Sequence, residues 1–258
     1  MRGGLLITVR TGSSRLPRKV LKKIDDRRVI DILIDRCQEF KGILDTVICT
    51  TDKLEDNIIE EIGVSRGVKV FRGSNNNLIA RWYQAAIKNN LDFLINIDGD
   101  DLLFSKALIR DAIEKIKTTD FVTIEHEKEV VCGCFTFGIK TKTLEKIYKS
   151  NRKKGLEETQ YMWLDFKNNN DIRKSYVDIP DELLRPEIRA TLDYEEDLKF
   201  FKEVFKKFKT QKLESSTTNL VKVIDSQPSL LTINRNKHKD YLNNQKRGLI
   251  NEKTKTDL

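Results

Sequence analysis

The sequence predicts an α/β fold with a mostly parallel central sheet and helices on both faces. Short apolar runs alternate with amphipathic stretches through the first 125 residues, giving five strand–helix alternations. Strands in that order need crossover helices, and the crossovers cover both faces of the sheet. The loops after the first and fourth apolar runs are too polar for core, and in such sheets ligands bind at the carboxyl ends of strands.

Each element follows from its local pattern. "GLLITV" is a first strand buried on both sides, "DTVICTT" a second, "VKVFRG" a third, "DFLINIDGDD" a fourth and "DFVTIE" a fifth. Between them, "VIDILIDRCQEF" carries an apolar stripe at Val29, Ile30, Ile32, Leu33, Ile34 and Cys37, the spacing of a helix. "EDNIIEEIGVSRG" is a helix ending near glycine. "NNLIARWYQAAIKNN" is a helix with asparagines placed to cap it, and "SKALIRDAIEKIKT" a fourth helix. In the second half, "VVCGCFTFGIKTKTLEKIYKS" reads as a strand running into a helix and "LEETQYMWLDFKN" as a helix. "SYVDIP" and "EIRATLDY" read as strands. "EEDLKFFKEVFKKFK" places Leu198, Phe200, Phe201, Val204, Phe205 and Phe208 on one helical face, a core stripe that needs no ligand to explain it.

Composition narrows the function classes. The 258 residues carry 48 Lys and Arg against 40 Asp and Glu, a net charge of +8 that favours anionic partners. Much of the excess lies on solvated helix faces, and no aromatic–basic interleaving accompanies it, so nucleic acid is not expected. Cys37, Cys49, Cys132 and Cys134 form no C-x-x-C pair, and read as reduced thiols of a cytoplasmic protein. Cys132 and Cys134 are expected on one side of a strand. With His126 and His238 as the only histidines, a zinc site lacks ligands. His126 reads as a surface residue. The first strand starts within four residues of Met1, which predicts no leader peptide. No apolar run approaches the roughly 18 residues that a membrane span needs.

Two clusters carry chemistry. After the first strand, Gly12, Ser13 and Ser14 leave backbone N–H groups free for an anion, and Arg10, Arg15 and Lys19 supply charge for a polyphosphate. Neither G-x-x-x-x-G-K-[ST] nor G-x-G-x-x-G is present. After the fourth strand, Asp98, Asp100 and Asp101 surround Gly99. Such carboxylates repel one another and are best tolerated around a cation such as Mg²⁺. Asp193 closes another expected strand, whereas Glu195, Glu196 and Asp197 suit the start of a helix. Two separated carboxylates on one metal, facing a cationic loop, is what nucleotidyl transfer requires.

These stretches resemble a known family. "VRTGSSRLPRKVL" is similar to the triphosphate-loop signature of the cytidylyltransferases, enzymes that make CMP conjugates of 3-deoxy-manno-octulosonate and sialic-acid-like sugars. The spore-coat-polysaccharide type is the nearest. "ICTTD", "VKVFRGSNNNLIARWYQAA", "DGDD" and "RATLDYEEDL" follow in family order, from Leu5 to about Phe208. The resemblance implies a Rossmann-like nucleotide-diphospho-sugar transferase fold, CTP and Mg²⁺, and transfer of CMP to a sugar acid with release of pyrophosphate. Alternative acceptors are a sugar phosphate, a polyol phosphate or a phosphonate. It further implies that Arg10, Thr11, Gly12, Ser14, Arg15, Lys19, Thr51, Asp52, Asn77 and Arg81 bind the nucleotide. Arg10, Lys19 and Asp100 would be catalytic, and Asp100 and Asp193 would hold the metal. The enzyme would be a cytoplasmic homodimer with one domain over 1–236: a nucleotide half, 1–125, and an acceptor and dimer half, 126–236. Residues 237–258 form a polar tail. The chain departs from the family at Val9, where alanine is usual, at Arg18, where glycine is frequent, and at "DDLL" in place of "DCPL". A glycosyltransferase would not need the triphosphate loop. A non-catalytic nucleotide-binding regulator is expected to lack a metal ligand, and both are present.

Overall fold

The computed structural model describes residues 1–153, 155, 166, 169–237 and 240. A seven-stranded sheet is built from β1 (Gly3–Thr8), β4 (Leu44–Thr51), β5 (Lys69–Gly73), β6 (Phe93–Asp98), β7 (Phe121–Thr123), β8 (Phe137–Lys140) and β9 (Lys174–Tyr176). Their order is β5-β4-β1-β6-β8-β7-β9. β1 pairs in parallel with both β4 and β6, Leu5 opposite Thr46 on one side and Ile95 on the other. A small antiparallel hairpin, β2 (Lys23–Ile24) with β3 (Arg27–Arg28), sits outside the sheet.

Helices α1 (Val29–Gln38), α2 (Asn57–Ser65), α3 (Leu78–Lys88), α4 (Lys106–Lys115), α5 (Thr141–Lys153), α6 (Glu195–Thr210) and α7 (Thr217–Ser226) cover it. Two apolar clusters lie on opposite faces. One holds the inward stripes of α1, α2, α4, α6 and α7; the other holds those of α3 and α5 around Trp82, Phe121, Phe137 and Phe166. Phe200, Phe201 and Phe208 of the α6 stripe are each at most 2% exposed, and full burial of such a side chain stabilises by roughly 1.5–3 kcal/mol. Among the described residues no helix is long and apolar enough to cross a membrane.

The first four expected strands and helices are present in order. The fifth strand, β7, does not lie beside β6: β8 inserts between them and runs antiparallel to both. "EIRATLDY" forms no strand. Among the described residues its only sheet-like contact is a parallel bridge from Arg189 to Cys132, and its chain is held extended by Ala190 N–H on Cys132 O and Leu192 N–H on Asp100 O. Cys132 and Cys134 are not on a strand either, because Gly133 between them turns with φ +87. A Cβ there would meet Ala190 O at 2.6 Å, so this glycine lets the two segments touch. "SYVDIP" contributes only Ser175 and Tyr176 to β9; Val177 N–H still reaches Thr123 O, but Asp178 gives its N–H to the Asp111 side chain. The helix expected over 156–168 lies outside the described residues, apart from buried Phe166, and so does His238. Most of the expected tail lies outside them too. Helix α7, capped by Ser216, is an element that the sequence analysis did not anticipate.

Two contacts shape the rim where the strands end. Gly99 lies so close to β1 that a Cβ would stand 2.6 Å from Val9 Cγ1 and 2.9 Å from Thr8 O. The loop after β1 is tied down by Asp56, a fully buried carboxylate before α2. It accepts from Thr11 N–H at 2.7 Å, from the Thr11 hydroxyl at 2.7 Å and from the Thr51 hydroxyl. Arg18, in the same loop, is left-handed with φ 53, which explains in steric terms why glycine is frequent there. Gly99→Ala is expected to cost about 1–3 kcal/mol through overpacking against β1, read by urea unfolding. Asp56→Ala, which strands three donors, is expected to cost about 2–3 kcal/mol in the same measurement; wild-type stability would remove the anchor.

Candidate active site

At the carboxyl ends of β1 and β6, cations of the first loop meet carboxylates from two distant segments. Lys19 Nζ lies 2.6 Å from Asp100 Oδ2 and 3.2 Å from Asp193 Oδ1. Arg15 donates to the same Asp193 oxygen at 2.6 Å, and Arg189 donates to the other at 3.0 Å. Asp193 is 1% exposed. Burial alone would raise its pKa, but Lys19, Arg15 and Arg189 outweigh that and hold it below the usual carboxylate range. Lys19 mirrors this: burial would lower it, and Asp100 and Asp193 hold it above the ordinary lysine value.

Beside Lys19, Asp98, Asp100 and Asp101 each offer an oxygen, all within 4.8 Å of one another. Burial, reinforced by Asp100, pushes Asp98 up to about 6. Burial, Asp100 and Asp98 together lift Asp101 well above the carboxylate range. Asp98 is held on both oxygens, by Asn96 Nδ2 at 2.7 Å and the Thr136 hydroxyl at 3.1 Å. Behind it the chain continues: the Thr8 hydroxyl donates to Asn96 at 2.6 Å and Trp82 Nε1 donates to Thr8 at 2.8 Å. Clustered oxygen donors under mutual repulsion fit a hard divalent cation, which would relieve that repulsion. Asp193 faces this group across Lys19 and is not one of the three.

The remaining expected residues divide by role. Arg10 reaches Asn75 Oδ1 at 3.5 Å, linking the first loop to the turn before α3. Arg81 is buried and donates to Ser74 O at 3.2 Å; burial lowers its pKa, and nearby Arg10 lowers it further. Asn77 caps α3, its side-chain oxygen accepting Ala80 N–H at 2.8 Å. Thr11 and Thr51 are buried on Asp56, so their hydroxyls organise the loop. Gly12 is exposed, as is Asp52, whose N–H extends the β4–β5 pairing to Gly73 O. Ser13 returns its N–H to Thr11 O, whereas Ser14 and Arg15 are exposed, with the Arg15 guanidinium still reaching Asp193. His126 is a surface residue, 3.9 Å from Glu125.

Sequence reasoning missed Asp56 and Arg189, and it assigned Asp197 to a helix start along with its neighbours. In "DKLED" nothing distinguishes Asp56 from an ordinary acid before a helix. Arg189 stands four residues before Asp193, yet reading that segment as a strand put no contact between them. Chemically, the rim offers Arg10, Arg15 and Lys19 as fixed charge for a polyphosphate, set against oxygen donors for a cation.

The chain is similar to known proteins over nearly its whole length. A cytidylyltransferase family model matches residues 5–247. The chain is 33% identical over 239 residues to an uncharacterized protein of Methanocaldococcus jannaschii, covering 92% of this chain and 96% of the relative. It is 25% identical over 236 residues to the spore coat polysaccharide biosynthesis protein SpsF of Bacillus subtilis, covering 88% and 95%. A cytidylyltransferase structure from Leptospira borgpetersenii superposes with a TM-score of 0.78 at 27% identity, covering 90% of this chain and 97% of that one. With a cationic loop and clustered carboxylates on one rim of a nucleotidyltransferase sheet, and a family match spanning nearly the whole chain, the protein belongs to the cytidylyltransferase family.

Proposed function

We propose that this cytidylyltransferase moves CMP from CTP to a sugar acid of the 3-deoxy-octulosonic or nonulosonic type, for surface polysaccharide or glycoconjugate synthesis. The observation that carries the reading is Lys19, set between Asp100 and Asp193 with Arg15 on the same oxygen. Arg15 and Lys19 bind the triphosphate. The acceptor oxygen forms a bond to the α-phosphorus and loses its proton, while the bond to the β-phosphate bridging oxygen breaks and pyrophosphate leaves. Arg10 and Lys19 stabilise the charge that grows on that leaving group, in a rim where fixed donors need no rearrangement. Asp100 and Asp193 would hold Mg²⁺, with Asp98 and Asp101 beside Asp100. Bound there, the metal supplies Lewis-acid neutralisation of phosphate charge. By the family resemblance Arg81, Asn77, Thr51 and Asp52 fall on the nucleoside side, where Asn77 acts through the α3 cap and Thr51 through Asp56. Gly12 and Ser14 keep the loop backbone open to phosphate. The working form is a cytoplasmic homodimer paired through residues 126–236, a reading supported by the family resemblance and checked by light scattering.

The direct test is pyrophosphate release with Mg²⁺ and each of CTP, UTP, ATP and GTP, against octulosonic and nonulosonic acids, sugar 1-phosphates, polyol phosphates and phosphonates. Release is expected with CTP and a sugar acid. Release only with a phosphate or phosphonate would move the acceptor assignment, and release with another nucleotide would overturn the base assignment. Asp100→Asn is expected to bring turnover to background with the unfolding midpoint near wild type; normal turnover would remove Asp100 from the site. Lys19→Ala and Arg15→Ala are each expected to lower kcat/KM for CTP by about 2–4 kcal/mol, roughly 30- to 1000-fold. Unchanged CTP kinetics in both would make the first loop a surface turn.

A further inference from the structure

Asp193 does not choose its own orientation. The three acids that open α6 look alike in sequence, but Glu195 is exposed, Glu196 half-buried and Asp197 fully buried. Asp197 accepts five hydrogen bonds. Its Oδ2 takes the backbone N–H of Asp193 at 2.9 Å, that of Tyr194 at 3.0 Å and Arg189 Nη2 at 3.2 Å. Its Oδ1 takes Arg189 Nε at 3.0 Å and Asn234 Nδ2 at 2.9 Å. The Asn234 amide also donates to Arg189 O at 3.0 Å. Arg189 is thus held in a fork by Asp197, with Nη2 directed onto Asp193 Oδ2 at 3.0 Å.

One carboxylate therefore fixes Asp193 twice, through its backbone N–H and through the guanidinium on its far oxygen. The consequence is directional: with Oδ2 committed to Arg189, Oδ1 is turned toward Lys19 and Arg15. We propose that Asp197, Arg189 and Asn234 form a positioning clamp that aims Asp193 Oδ1 into the cleft and thereby sets the metal affinity of the nucleotide-bound enzyme. None of the three is assigned to the rim itself; they act through Asp193. The clamp rests on the reading of Asp193 as a metal ligand. It ties that ligand to Asn234, 41 positions further along the chain, just beyond the 3₁₀ turn Pro228–Thr232. Asparagine suits that place because it presents two N–H donors to a carbonyl and a carboxylate. Asparagine and aspartate have nearly the same shape, but aspartate would set an acceptor and a negative charge against both.

The test is Mn²⁺ titrated into enzyme with CTP and followed by electron paramagnetic resonance, with Mn²⁺ and CTP alone as reference. Asn234→Asp and Asp197→Asn are compared with Asp193→Asn. Val204→Ala, a core truncation on the same helix, serves as the control for lost stability. Asn234→Asp and Asp197→Asn are expected to weaken Mn²⁺ at least tenfold, approaching Asp193→Asn, while Val204→Ala binds as wild type. If either clamp variant fails to fold, Asn234→Ala, which removes two hydrogen bonds and adds no charge, takes its place with the same expectation. Wild-type affinity in the folded clamp variants, with affinity lost in Asp193→Asn, would overturn the clamp and leave the metal assignment standing. Loss in Val204→Ala as well would reduce the effect to destabilisation and overturn the clamp. Wild-type affinity in Asp193→Asn would overturn the metal assignment, and the clamp with it.

Discussion

The ammonium of Lys19 is the contact through which the two halves of the rim communicate. It joins the loop after β1 to the acidic end of β6 and to the extended segment before α6, at 2.6 Å and 3.2 Å. These groups are largely withdrawn from water, and buried charges are tolerable only when paired and hydrogen-bonded. Removing Lys19 would leave Asp193 with two arginines, and Asp100 with its acidic neighbours Asp98 and Asp101. The neutralisation is local and incomplete: Asp193 is held low by three cations, whereas Asp98 and Asp101 are lifted by burial and by the neighbouring charge of Asp100. Further positive charge beside Asp98, Asp100 and Asp101 would relieve that mutual repulsion.

The fold serves this rim by fixing backbone first and side chains second. Gly99 lets β6 close against β1, and Asp56 pins the loop through Thr11 and Thr51, so that Arg10, Arg15 and Lys19 leave from a held scaffold. On the opposite side Asp197 does the same for Asp193. The rim is thus flanked by two buried carboxylates that touch neither each other nor the polar chain from Trp82 to Asp98. Both carboxylates lie at helix starts, Asp56 just before α2 and Asp197 in the first turn of α6.

Legibility in the sequence follows from how local each signal is. The first four strands and helices were readable because periodicity is a property of ten or so consecutive residues, and the Phe stripe of α6 for the same reason. The clustering of Arg10, Arg15 and Lys19, and of Asp98, Asp100 and Asp101, was readable because each group lies in one loop. The insertion of β8 was not readable, since strand order depends on partners far apart in sequence. "EIRATLDY" misled because its apolar alternation is genuine while its hydrogen bonds go to Cys132 and Asp100 instead of to a strand. Asp56, Asp197 and Asn234 were hidden for a related reason: Thr11 lies 45 positions from Asp56, Asn234 lies 37 from Asp197 and 45 from Arg189, and none of the three stands in an unusual local composition. Asn77 and Thr11 sit where the family resemblance puts nucleotide contacts, yet their side chains here hold the backbone.

The central claim is that Lys19 and its neighbours form a triphosphate site. The most direct measurement is calorimetric binding of CTP, CDP and CMP, with Mg²⁺, to wild type and to Lys19→Met. Affinity is predicted to rise steeply from CMP to CTP in wild type, and that gradient is predicted to flatten in the variant while CMP binding is retained. Equal affinity for CTP and CMP in wild type, or a gradient unchanged without Lys19, would contradict the account.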